Sequence, residues 1–159
     1  MNIKIIAAGK AKEKYLVQGI NDYLKRLKPH ARVEIIEVPE EKILEKASPA
    51  EKNAAIKKEG EKILKKLDGQ SYCIVLAIEG QLFSSEDLAR SLDRLGQEGK
   101  KKITFIIGGP LGLSVDVKKK AHLLLSFSPM TFPHQLTRLI LLEQIYRALK
   151  INRGEPYHK

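Results

Sequence analysis

Along the chain, short apolar runs rich in β-branched residues alternate with longer stretches in which apolar positions recur every three or four residues. That alternation predicts an α/β domain with a mainly parallel sheet and flanking helices. Ile3 to Ala7 reads as a first strand. Tyr15, Leu16, Ile20, Tyr23, Leu24 and Leu27 then fall at helical spacing, and the helix ends before Pro29. Val33 to Val38 reads as a second strand. Ser48-Pro49-Ala50-Glu51 is a helix start: Ser48 can cap orphan amides, Pro49 lacks the amide that would go unpaired, and Glu51 can close a capping box. Ile56, Ile63, Leu64 and Leu67 supply that helix with a stripe to bury, and Gly69 a stop. The many Lys and Glu residues between Glu40 and Lys66 read as a solvated face.

The second part repeats the rhythm more tightly. Tyr72 to Ile78 is an apolar strand, Ser84-Ser85-Glu86-Asp87 opens a helix running to about Leu95, and Ile103 to Ile107 is another apolar strand. Gly108-Gly109-Pro110-Leu111-Gly112-Leu113 follows, then a short helix from near Ser114 and a strand from Leu123 to Phe127. Pro133 begins a last helix whose Leu136, Leu139, Ile140, Leu141, Leu142, Ile145, Tyr146 and Leu149 wrap more than one face. Both sides of such a helix need cover. One can meet the sheet; the other suggests a partner subunit. No internal repeat or linker interrupts the pattern, which predicts a single domain over residues 1–159.

Composition narrows the classes. The 159 residues, 43% of them hydrophobic, suffice for one core without disulfides or a structural metal. The lone Cys73, followed by Ile74, Val75 and Leu76, reads as a buried thiol in a reducing compartment. The opening residues lack a secretory pattern and no apolar run approaches a membrane span, so a cytoplasmic protein with no membrane partner is expected. A formal net charge of +10 favours a polyanionic partner. The basic residues are dispersed rather than gathered in a tail, and a solvated lysine surface accounts for them equally well.

Three segments fall at the carboxyl ends of apolar strands: Ala77-Ile78-Glu79-Gly80, Gly108 to Gly112, and Ser126 to His134. That edge of a parallel sheet is the usual ligand position. Gly9-Lys10 lacks the rest of a phosphate-binding loop, and Gly108, Gly109 and Gly112 do not match a dinucleotide fingerprint. His30, His122, His134 and His158 have no metal-ligand spacing, so no metal site is expected. Neither Ser126 nor Ser128 sits in a nucleophile elbow.

Taken together, Ile106 to Gly112, Leu125 to His134, Tyr146-Arg147-Ala148 and the ending Pro156-Tyr157-His158-Lys159 make a specific combination. The chain resembles, over essentially its whole length, the RlmH family of ribosomal RNA methyltransferases, within the SPOUT superfamily of knotted methyltransferases. The resemblance implies a C-terminal trefoil knot and a homodimer that uses S-adenosylmethionine. It implies methylation of N3 of a pseudouridine in helix 69 of 23S ribosomal RNA, on assembled ribosomes. It places the cofactor at Leu76, Gly108, Phe127, Ser128, Pro129, Met130, Thr131 and Phe132. The apolar members of that set can enclose a ring and a methionyl chain, while main-chain groups of the loops read adenine edges.

His134, just after the third loop, is a candidate to orient or deprotonate the base, or else a helix-start residue bonding backbone. Tyr157 and His158 match the family ending and are implied to serve the substrate site, although residues past Gly154 fray by default. Arg138, Arg147, Arg153 and Lys159 are candidates to hold RNA, with the dimer interface an alternative for the arginines. A noncatalytic RNA-binding or ribosome-associated module on the same fold is the alternative function. It would not need three intact strand-end loops.

Overall fold

The computed structural model describes all of residues 1–159. It contains strands β1 (Asn2–Ala8), β2 (Arg32–Val38), β3 (Tyr72–Leu82), β4 (Lys102–Ile107) and β5 (Leu123–Ser126). Between and after them lie helices α1 (Lys14–Leu27), α2 (Pro49–Lys66), α3 (Ser85–Gln97), α4 (Val115–Lys119) and α5 (His134–Asn152). The strands form one sheet in the order β2-β1-β4-β3-β5, and every pairing is parallel. All five carboxyl ends therefore point to one edge.

Alternation along the strands sorts the core into two layers. Ile3, Ile5 and Ala7 of β1, with Ile103, Phe105 and Ile107 of β4, pack against α1, α3 and α5. Ile6 and Ala8, with Ile106, Cys73 and Val75, pack against Ile63 of α2 and Val117 of α4. A sheet covered on both faces needs strands apolar on both faces, which is why these runs are nearly continuous.

The helix starts follow the sequence reading. Ser48 Oγ accepts from Glu51 N at 3.1 Å, and the Glu51 carboxylate accepts in return from Ser48 N. At α3, Ser84 and Asp87 make the same reciprocal pair. Other expectations need correction. Of the four residues expected to face inward from α2 only Ile63 is fully buried, and Ala55, Glu59 and Gly60 complete the inner face. Glu59 is 3% exposed, so the Lys/Glu-rich helix is not wholly a solvated face. Tyr15, expected in the first helix's apolar stripe, is largely exposed.

β3 runs past Ile78 because its pairing with β5 slips: Leu76 and Gln81 both lie opposite Leu125. The intervening residues 77–80 bulge out of the ladder at the carboxyl edge of the sheet. The apolar girth of α5 is explained within one chain. This helix lies between α1 and α3 over the sheet, and Leu141, Leu142, Ile145 and Ala148 are 0% exposed. A partner subunit is not required to cover Leu142 or Ile145. No helix is long and apolar enough to cross a membrane.

Burial pushes the Cys73 thiol from 9.0 up to about 11. Its neutral form is favoured in the fold, so the linked stability is present below pH 9 and lost as pH rises through 11. Urea midpoints should fall over that window, and the fall should be shallower for Cys73→Ala. Parallel pH profiles for the two proteins would contradict the burial of this thiol.

Candidate functional site

The three strand-end segments meet. A cleft of about 250 Å3 is lined by Leu76 to Glu79 from the β3 bulge, by Ile107 to Gly109 and Gly112-Leu113 after β4, and by Leu125 to Ser128 after β5. Met130, Thr131, Phe132, His134 and Thr137 close its remaining side. Seven of the eight residues assigned to a cofactor thus share one cavity; Pro129 sits on the third loop but does not line it. Met130 is 72% exposed and forms rim rather than wall. Short local bonds shape the third loop: Ser126 Oγ donates to the Ser128 carbonyl at 3.1 Å, and Met130 N donates to Ser128 Oγ at 3.0 Å.

Two acidic residues that sequence reasoning passed over act at this cleft. Glu59 reaches from α2 beneath the second loop, where its carboxylate accepts from the backbone N–H of Glu41 at 3.1 Å and lies against Gly109. Burial raises its pKa above the usual carboxylate range, and the backbone N–H groups beside it oppose the rise. Glu79, on the β3 bulge, pairs with Lys118 of α4 at 2.5 Å. The lysine's hydrogen bond is the largest of the effects holding the Glu79 carboxyl below its ordinary value. Periodicity gave no sign of either, because both depend on the crossing of separate loops.

His134 opens α5 and faces the cleft, with Nε2 3.7 Å from Glu40 Oε2. One turn along, Arg138 is 1% exposed. It donates from Nη1 to Glu37 Oε2 at 2.5 Å and from Nη2 to the Gly9 carbonyl at 3.1 Å. The same Glu37 oxygen accepts from Ala11 N at 2.9 Å. The expectation that Arg138 holds RNA is therefore corrected: a guanidinium sealed beneath the strand ends cannot reach a phosphate.

The C-terminal residues do not join the cleft within this chain. Gly154, at φ +65°, turns the backbone, and the tail packs beside α5. Tyr157 Oη donates to Glu143 Oε1 at 3.2 Å and lies 3.3 Å from Tyr23 Oη, while its ring stacks edge-on to Tyr146 beneath the Arg147 guanidinium. Burial and the neighbouring phenol and carboxylate drive its pKa well above the ordinary tyrosine value. His158 contacts Glu86 at 2.8 Å through Nε2 and Arg147 at 3.2 Å through Nδ1. The end past Gly154 does not fray in the default manner, because aromatic contacts anchor it. Arg147 is engaged by Glu143, Arg153 is half exposed near Glu155, and Lys159 is exposed.

Comparison with known proteins decides the family. A family model described as "Predicted SPOUT methyltransferase" matches residues 1–158. The chain belongs to the SPOUT methyltransferase family. Proteins named ribosomal RNA large subunit methyltransferase H from Bacillus thuringiensis (strain Al Hakam) and Bacillus cytotoxicus are 59% and 60% identical to it over 159 residues, covering all of both chains. Among solved structures, a probable methyltransferase from Bordetella pertussis superposes with a TM-score of 0.54 at 12% identity, covering 92% of this chain and 95% of that one. A putative methylase family protein from Neisseria gonorrhoeae gives 0.52 at 13% identity, covering 99% and 85%. At such identities these likenesses carry the SPOUT fold alone.

Arg138→Met tests the corrected role of that residue. Removing one partner of a buried pair should cost about 3 kcal/mol by urea unfolding, toward the lower end because Glu37 can turn to water. The salt dependence of RNA binding should stay unchanged. A variant of wild-type stability that binds RNA with a shallower salt slope would return Arg138 to the RNA interface.

Proposed function

We propose that this chain is an S-adenosylmethionine-dependent methyltransferase of large-subunit ribosomal RNA. Its target is N3 of a pseudouridine in helix 69, on assembled ribosomes. The observation that carries the reading is the convergence of three strand-end loops on one cleft in a chain 59% identical, end to end, to proteins named for that class of reaction.

The cleft fits the methyl donor by its chemistry. Leu76, Leu113, Phe127 and Phe132 offer apolar walls to a nucleoside ring and a methionyl chain, and main-chain groups of the glycine-rich loop offer donors and acceptors. Glu79 and Lys118 place one charge of each sign at the same cavity, suited to hydroxyl and carboxylate groups. When bound, S-adenosylmethionine supplies a methyl group on an electrophilic sulfonium. The protein's own work is to align the acceptor nitrogen with that methyl, exclude water and take a proton from the nitrogen. His134, the imidazole that lines the cleft, is assigned that role.

The tail belongs to the same reading through a second copy. Tyr157 bonds Glu143, nine residues beyond His134, which is about 13 Å along a helix at 1.5 Å per residue. A homodimer in which the tail of one protomer approaches the cleft of its partner reconciles that separation with a substrate role for Tyr157 and His158. Arg153 and Lys159, exposed at the same end, then face RNA phosphates. The trefoil threading implied by the family places α5 beneath the three loops, consistent with α5 contributing both His134 and Thr137 to the cleft.

Ribosomes from a strain lacking this protein, incubated with it and the methyl donor, should gain one methyl group at the helix 69 pseudouridine by mass mapping. Methylation elsewhere, or none, would contradict the substrate assignment. Deleting residues 157–159 should lower that rate about a hundredfold, the cost of a misplaced reactant, with S-adenosylhomocysteine affinity unchanged. A truncated protein working at the wild-type rate would remove the tail from the substrate site.

A further inference from the structure

Two polar atoms beside the cleft are enclosed without a hydrogen-bond partner: Nε2 of His134 and Oε2 of Glu40. They face one another at 3.7 Å, although His134 begins α5 and Glu40 lies just past β2, 94 positions earlier in the chain. Buried polar atoms without partners are uncommon in folded proteins, and each calls for an explanation. Here the two are chemical complements, separated by slightly more than a hydrogen bond. Hydrogen bonds of a catalytic pair are often long in a free enzyme and shorten when substrate closes the site.

The surroundings hold this pair together. Gly9 adopts φ +86°, and a Cβ there would lie 2.8 Å from Glu40 Oε2 and 3.6 Å from His134 Nε2, so only glycine leaves room for the carboxylate. The Gly9 carbonyl is pinned in turn by Arg138, one helical turn beyond His134. Nδ1 of His134 is not enclosed in this way, and the ring lines the cleft.

We propose that Glu40 is the positioning carboxylate of His134, holding the proton on Nε2 so that Nδ1 presents its lone pair to the nucleobase nitrogen to be methylated. This deepens the reading above and rests on it. In the step that follows, the N–H bond of the base breaks and its proton passes to Nδ1. The electron pair left on nitrogen forms the bond to the methyl carbon, while the carbon–sulfur pair returns to sulfur. Glu40 then faces an imidazolium, whose charge it balances until the proton leaves to water. A carboxylate that fixes the tautomer of a base histidine has the same role in hydrolytic triads. Glu40 itself does not touch substrate.

The test reads the tautomer directly as well as the rate. In 15N-histidine spectra of the full-length protein at alkaline pH, with His134 assigned by its loss in His134→Gln, the ring should be in the Nε2–H form. Glu40→Gln should disturb that form, and Glu40→Asp, which keeps a carboxylate, should largely retain it. In methylation of undermodified ribosomes, Glu40→Gln should lower kcat about a hundredfold with KM and S-adenosylhomocysteine affinity little changed, and Glu40→Asp should recover part of the rate. Glu40→Gln with His134→Gln together should be no slower than His134→Gln alone, because the two act as a unit. An Nδ1–H ring in the wild type, or a folded Glu40→Gln protein with the wild-type kcat, would overturn the proposal. Should the wild type methylate no ribosomal RNA, the substrate reading fails and the base role with it; an Nε2–H ring would then leave only the structural coupling.

Discussion

A single buried guanidinium ties the carboxyl edge of the sheet together. Arg138 is the largest side chain sealed in the core, and its bonds run to the carboxyl ends of two different strands: to Glu37 of β2 and to the Gly9 carbonyl after β1. A charge so enclosed is tolerated only where its partners are in place. The first turn of α5, the β1–α1 loop and the end of β2 must therefore form together. His134 and Glu40, which lie on two of those segments, inherit their geometry from this clamp. The cleft on the far side of His134 inherits one of its walls.

The second organising constraint is topological. A five-stranded parallel sheet sends every strand's carboxyl end to the same edge, and the segments that leave it must turn there. Two of those turns have been made into ligand-shaped surfaces by small departures from regularity. β3 slips its register against β5 and throws out residues 77–80, and the glycine-rich segment after β4 lies against the buried Glu59 carboxylate. In this fold the cavity results from loops that packing would have forced to exist in any case.

Much of this architecture was legible in the sequence, for identifiable reasons. Capping residues such as Ser48 and Ser84 act within four positions, and buried parallel strands announce themselves as continuous apolar runs. The three segments that line the cleft could be found because a strand end followed by glycine or proline is a local feature. What stayed hidden was pairwise and distant. Glu40 and Glu59 read as part of a solvated face and Arg138 as a candidate RNA contact, and Glu37 gave no sign of its buried pairing, since the partners lie 18 to 129 positions away. The seat of the tail was hidden for the same reason: the aromatic contacts of Tyr157 with Tyr23 and Tyr146 join distant segments.

The central claim is that the strand-end cleft holds a nucleoside-bearing methyl donor, and calorimetric titration of S-adenosylhomocysteine into the protein addresses it most directly. The informative comparison is Gly108→Val. A Cβ at this position would come within 2.8 Å of Leu113 Cγ and force that cleft-lining side chain to shift. The wild type should bind, and the variant should lose binding while its circular dichroism spectrum stays native. No binding by the wild type, or equal affinity in a folded Gly108→Val protein, would contradict the assignment of the cleft.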